Sequence, residues 1–463
     1  MATRIAERIP FFDSVIAFIE DVRERLVPRA YAPSTSLTAA DYAVAGIAAS
    51  VAAAIAYVGG SLFDPPALLT HLGSYFSADS FRILATMTDL ESFHHHRVFT
   101  HPIFSIVAYP LAQVMMAAGI PPLTAAILLM SLCAAVSGAF FYLALRALGL
   151  PLVAAAAFTG TLIGSAAFIH WFTFIETFSY STMALVLMIF VLMRARTSSL
   201  GVWTLASAGS LAFVTLNWIF AVACSFFRLK TWDFVRVSAI AFAAITFLSV
   251  VQNLIFPNAK LFFNPFLIVR EYDEEMQFNT EADGFQAWTP AENLRSTLVT
   301  TVVAPRPVME EGINRWGKFV WANNTFTPMS AMGYVEHAAI ACWLFIFGAG
   351  LWGAWRNVER RAVAIPIVGF AALQIALYSS YGEIPFLYSA NVVPLLIAIA
   401  AFAWFTPVRY AAVAAALLLT VLAGPHNYRQ FETAAQMVNE IVEAHPTPEK
   451  DTVRVPGISA PWP

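Results

Sequence analysis

Long stretches without charge constrain this chain more than anything else in it. From residue 98 to residue 145 there is no Asp, Glu, Lys or Arg. Further apolar runs, free of charge apart from Glu176, cover 42–63, 151–170, 175–193, 198–227 and 237–256. After a polar interval come 337–355, 362–381, 387–405 and 410–424. A bilayer-spanning helix needs about 20 apolar residues, and these runs supply them repeatedly. A soluble domain carries about 25% charged residues; this chain carries 12%, with 59% hydrophobic. In lipid every backbone polar group must be paired internally, so the runs predict helices. They lack the strict alternation of a membrane β-barrel. The expected fold class is an all-α polytopic membrane protein with about ten to twelve membrane helices.

Lys and Arg in short loops predict the orientation. Arg23, Arg25 and Arg29 precede the first run, Arg228 and Lys230 share one loop, and Arg356, Arg360 and Arg361 share another. Placing these in the cytoplasm leaves 64–101 and 257–336 on the outer face. The second loop has nine acids and six bases between 257 and 335, which fits that side. Residues 1–40 read as a cytoplasmic amphipathic segment without a cleavable signal, 41–424 as the membrane domain and 425–463 as an outer tail. Two conflicts remain. Arg194 and Arg196 also look cytoplasmic, so 198–227 must enter and leave as two short helices with its tip near Thr215, Leu216 and Asn217. Placing Arg146 inside requires one segment of 98–145 not to cross. Broken or re-entrant helices are tolerated only where protein or a cavity covers them.

A net charge of −3 gives no basic footprint for nucleic acid. No phosphate-binding glycine loop of the nucleotide enzymes is present. Cys133, Cys224 and Cys342 lie in apolar runs and read as core residues.

The ionisable groups gather in "SYFSADSFRILATMTDLESFHHHRVFTHP", residues 74–102. Asp79 and Arg82 are one helical turn apart, and Asp89, Glu91, His94 to His96, Arg97 and His101 follow. Adjacent histidines on one helix fan around its axis, so a single metal is not their expected ligand. Glu176 is the only acid between 147 and 193, and a lone acid at a span boundary is a functional candidate. Its alternative is an interfacial helix cap. Asn217 reads either as part of a cavity or as a helix–helix hydrogen bond. Glu383 and Tyr388 belong to another outer loop.

Three stretches carry a family resemblance: "ADSFR…DLESFHHHRVFTHPIFSIVAYPL", "FIETFSYSTMALVL" and "YGEIPFLYSANVVPLL". Together they resemble the bacterial glycosyltransferases of the GT-C superfold over about residues 40–405. The resemblance implies a GT-C-like helix bundle and a sugar donor on a polyprenyl phosphate or diphosphate. The active site would lie on the outer face of the bacterial inner membrane, and a glycan, lipid or protein would be the acceptor. It implies an acid in the first outer loop as base or acceptor-orienting group, matched by Asp79. Many relatives have paired acids there. Here Ser80 follows Asp79, so Asp89 stands as a rival, with Glu176 as a further candidate. Arg82, Arg97, His95, His96 and His101 would hold the donor phosphate, and Asn217, Glu383 and Tyr388 would meet the acceptor. No cofactor is implied; a divalent metal serves some relatives and not others. The alternatives are a lipid-linked glycan polymerase or ligase, a transporter or flippase, and a non-catalytic scaffold.

Overall fold

A computed structural model describes residues 20–27, 36–69, 75–194, 199–263, 289–314, 317–324, 327–378 and 385–444, with isolated positions besides. Among them, seven helices are long and apolar enough to cross a membrane, or eight if one bent pair counts as a single span. Three shorter apolar helices, Phe104–Ala117, Phe178–Arg194 and Leu200–Phe213, complete the bundle. The expected ten to twelve membrane helices are therefore a set of full spans with shorter helices among them.

Side-chain contacts show which helix ends lie together. At one end Asp41 pairs with Arg146 at 2.5 Å and accepts from Tyr142, while Arg146 also caps the Leu150 carbonyl. Thr38 and Asp41 form a capping box that starts Ala39–Gly60, satisfying two of the backbone donors a helix N-terminus leaves open. Arg360 lies 3.8 Å from the ring of Phe405 at this same basic end. The N-terminal helical piece docks beside it, with Arg23 donating to the Leu229 carbonyl and Thr231 to Glu20.

Both topological conflicts resolve as short helices. Residues 198–227 form Leu200–Phe213 and Asn217–Arg228 with the break at 214–216. Phe104–Ala117 stays at the opposite end. Ile103 N–H donates to Ala212, and Gln113 donates to the Thr88 carbonyl. The crossing is made instead by Pro122–Leu148, whose last turn reaches Asp41 through Arg146. A helix of 14 residues is about 21 Å long, short of a bilayer core of about 30 Å.

The bent pair, Leu152–Ile163 and Ala166–Thr173, turns by 58°. Its freed backbone groups are not orphaned. Ala166 and Ala167 N–H donate to the Val302 and Thr301 carbonyls. Asn427 donates to the Gly164 and Val302 carbonyls and accepts from Ala304 N–H, at 2.8–2.9 Å. The large polar loop thus sends residues 301–304 into the helix break. Elsewhere glycine permits close helix contact: a Cβ on Gly350 or Gly353 would fall 2.2 or 2.1 Å from the carbonyl oxygens of Ile399 and Phe402. Small residues at such contacts are the usual means of helix association in lipid.

Two features depart from the sequence reading. The final helix, Arg409–Ala444, runs 36 residues through Pro425, so the apolar run ends at 424 but the helix does not; residues 445–463 lie outside the described residues. The polar loop also carries an antiparallel hairpin, Val308–Asn314 with Gly317–Asn323, which helical periodicity could not reveal.

Candidate functional site

The first polar loop leaves the Ala39–Gly60 span and is tied to the hairpin. Tyr75 bridges Ala322, and Phe76 N–H donates to the Ala322 carbonyl at 3.1 Å. Tyr75 hydroxyl meets His170 Nδ1 at 2.7 Å inside an aromatic cluster with Phe76, Phe174 and Phe386. The chain then passes through two left-handed residues, Phe76 (φ 50°) and Ser77 (φ 62°). A bulky residue there is strained, and the surrounding packing must enforce it. Two residues later stands Asp79, at the head of the Ser80–Thr88 helix.

Asp79 does not cap that helix with its side chain. Its carboxylate pairs with Arg82, one turn along, at 2.5 Å and is 37% exposed. Its backbone N–H donates to Glu176 Oε2 at 3.2 Å. Glu176 lies in the short break between Ala166–Thr173 and Phe178–Arg194 and is 4% exposed. Its other oxygen accepts from Thr177 N–H at 2.8 Å and from the Thr177 hydroxyl at 2.9 Å. Burial pushes the Glu176 carboxyl above its ordinary value, with the charge of Arg82 opposing. Three polar hydrogens thus converge on one buried carboxyl, which fixes the backbone at Asp79.

Beside this pair opens a small cleft lined by Arg82, His94, His95, His101, Ser105 and Thr177, with Phe104, Ile83 and Thr86. Among the described residues no acid lines it. The Arg82 guanidinium and the His94 and His101 imidazoles on its wall suit an anion. The 3-10 turn Phe93–Phe99 points its histidines differently. His94 faces the cavity. His95 is buried, with Nδ1 at 2.8 Å from Ser105 Oγ and Nε2 at 2.8 Å from the Asp89 carbonyl. Burial lowers its imidazole below the ordinary value, against two opposing effects of Asp89. His96 turns back to the Phe93 carbonyl and does not line the cavity. Among the described residues no group of three His, Cys, Asp or Glu is arranged to hold a metal ion.

The structure corrects several expectations. Asp89 ends the nine-residue helix that Asp79 begins, about 15 Å away, and its carboxylate accepts from Glu91 N–H. It does not share the Asp79 site. His95 has both ring nitrogens engaged within the protein, so its expected phosphate contact gives way to a structural one. Asn217 is fully buried, 3.4 Å from the Ser181 carbonyl and 3.4 Å from Gln374 Nε2; it is the helix–helix contact. Tyr388 stacks flat on Tyr378 at 4.6 Å, with Phe178 edge-on. The side chain of Arg97, and Glu383 entirely, lie outside the described residues. Sequence reasoning singled out His94 with its two neighbours but missed Ser105 and Thr177. Ser105 and Thr177 are ordinary small residues in apolar surroundings, and nothing in their spacing marks them.

No family model matches the sequence, and no curated protein sequence matches it. Among solved structures, the chain is similar to ArnT from Cupriavidus metallidurans, in a crystal structure bound to undecaprenyl phosphate. Identity is 14%, covering 87% of this chain and 78% of that one, with a TM-score of 0.54. The chain is a polytopic, predominantly helical membrane protein with a fold like that of ArnT.

Proposed function

We propose that this chain transfers a sugar from a polyprenyl-phosphate donor to a glycan, lipid or protein acceptor. The basic end would face the cytoplasm of a bacterial inner membrane and the Asp79 end would face outward. The observation that carries this reading is the cleft walled by Arg82, His94 and His101, with the Asp79 carboxylate paired to Arg82. The fold shared with a protein that binds undecaprenyl phosphate supports it.

The chemistry follows from that placement. The donor phosphate enters the cleft, where Arg82, His94 and His101 stabilise the negative charge that grows as the sugar departs. Phe104 and Ser105 line the cavity, and the same helix exposes Leu111 and Val114. This gives the polyprenyl tail an apolar path from the cavity to lipid. Asp79, partly exposed, takes the proton of the acceptor hydroxyl as its oxygen attacks the anomeric carbon. Direct attack inverts that carbon and needs no covalent glycosyl-enzyme. Glu176 is a positioning residue: it holds the Asp79 backbone, and its oxygens are already occupied.

The test is transfer by the purified protein in nanodiscs, using a panel of synthetic undecaprenyl-phosphate hexoses and pentoses with membrane glycolipid as acceptor. The reading expects a labelled product with the wild type and a loss of about 100-fold or more in Asp79→Asn. Full activity of that variant would remove Asp79 as the base. Product mass separates single-sugar transfer from transfer of a whole glycan.

A further inference from the structure

We propose that the basic end of the bundle binds an anionic phospholipid, its headgroup phosphate held by Arg356 and Arg409 where the helices Tyr334–Arg356 and Arg409–Ala444 meet. This site lies at the end of the molecule away from Asp79 and does not depend on the transferase reading. Arginines at the basic end fall into two sets. One set meets carboxylates: Arg25 pairs with Asp21, Arg146 with Asp41 and Arg236 with Asp233. The other meets aromatic rings. Arg409 Cζ lies 5.5 Å from the centre of the Trp404 ring and 4.8 Å from that of Tyr410, and Nη2 donates to the Tyr410 hydroxyl at 3.3 Å. Arg356 Cζ lies 5.7 Å from the centre of the Trp352 ring. Among the described residues neither Arg356 nor Arg409 has an acid within ion-pair distance. Residues 352–361 and 402–410 hold four arginines against one acid, Glu359.

The close contact at Gly353 brings the two arginines to one place. A Cβ on Gly353 would lie 3.1 Å from Thr406 Cγ2. Arg356 stands one turn beyond Gly353, and Arg409 stands three residues beyond Thr406. Arg360 lies over Phe405, the residue next to the Trp404 that carries Arg409. Positive charge from two separate segments is thus gathered at one helix crossing. An aromatic ring holds a guanidinium but supplies no oxygen to its N–H fork. The fork matches phosphate oxygens bidentately, and a charge-assisted pair of this kind is stronger than the ring contact alone.

The surroundings select a lipid over a soluble anion. Trp355 is 79% exposed and Tyr410 68%, and such rings sit at headgroup level in a bilayer. Leu344, Leu351, Trp352 and Trp355 are all exposed. Their spacing of i, i+7, i+8 and i+11 puts them on one helical face, and that face ends at Arg356. An acyl chain lying along it brings its phosphate to the arginines. Each arginine held near an anionic headgroup strengthens binding about 5-fold. Two give a preference of about 25-fold for an anionic lipid over a zwitterionic one with the same chains.

The experiment is native mass spectrometry of the full chain in detergent, titrated with phosphatidylglycerol or phosphatidylcholine, for wild type, Arg356→Gln, Arg409→Gln, the double variant and Arg236→Gln. Thermal unfolding in phosphatidylcholine nanodiscs, with and without phosphatidylglycerol, reads the same binding as a rise in Tm. The wild type should prefer phosphatidylglycerol by about 25-fold. Each single variant should lose about 5-fold of that preference, and the double variant should lose all of it. Arg236→Gln, whose arginine already faces Asp233, should behave as wild type. Equal binding of the two lipids by the wild type would overturn the proposal and leave the arginines as orientation signals only. So would a double variant that keeps the preference, or, where that variant does not fold, a single variant with wild-type affinity. Inorganic phosphate that raises the Tm as much as phosphatidylglycerol would overturn it too, in favour of a soluble anion.

Discussion

Replacing Glu176 with glutamine separates a residue that positions Asp79 from one that does the chemistry. The carboxyl uses two oxygens for three hydrogens: Asp79 N–H at 3.2 Å on one, Thr177 N–H at 2.8 Å and the Thr177 hydroxyl at 2.9 Å on the other. Glutamine is nearly isosteric but has a single acceptor oxygen. Facing Thr177, it turns its NH₂ onto Asp79 N–H; facing Asp79, it does the same to Thr177. Either way one buried backbone donor loses its acceptor, at about 1–3 kcal/mol. If that cost falls on the placement of Asp79, the rate drops about 5- to 150-fold. Thermal stability should move little, because a neutral amide is easier to bury than a carboxylate. The assay is transfer from the undecaprenyl-phosphate sugar the wild type uses best, with thermal unfolding in the same detergent as the folding control. A variant as fast as wild type would refute the argument that this contact aligns the site. Complete loss in Glu176→Gln beside an active Asp79→Asn would make Glu176 the base.

Three further outcomes follow from the fold and the loop chemistry. Asn427→Ala removes three hydrogen bonds at the helix break and should cost about 2–5 kcal/mol, read as a fall in Tm. Gly353→Val pushes side-chain carbon into the Phe402 carbonyl; it should destabilise by about 1–3 kcal/mol or more, while Gly348→Ala, which meets nothing within 4 Å, should be close to silent. His95 is held below its ordinary value by burial, so its folded state prefers the neutral ring. Its share of stability is present above about pH 6.5 and is lost as pH falls through the depressed folded value. His95→Gln should flatten that acid-side loss of Tm, and an unchanged slope would place the effect elsewhere.

The membrane architecture was legible because charge-free runs report burial in lipid directly. The two charge conflicts were informative in the same way. Arg194 against Arg228 demanded a break near 215, and the structure has it at 214–216. Arg146 demanded that one of two apolar segments not cross, and Phe104–Ala117 is that segment. The pairing of Asp79 with Arg82 followed from one-turn spacing. What the sequence hid was set by tertiary contact. The three consecutive histidines are equivalent as letters, yet one faces the cavity, one is locked inward and one turns back on its own turn. Thr177 meets His101, seventy-six residues earlier, only because two separate elements fold together. The Tyr75–Ala322 bridge joins two loops far apart in sequence, and no local pattern encodes it.

The most direct test of the central claim is a cryo-EM map of the protein in nanodiscs with undecaprenyl phosphate added. The account predicts phosphate density in the cavity, within hydrogen-bonding reach of Arg82 and His101, with the tail leaving beside Leu111 and Val114. A cavity that stays closed to the lipid, with a polar passage through the middle of the membrane instead, would contradict it and point to transport.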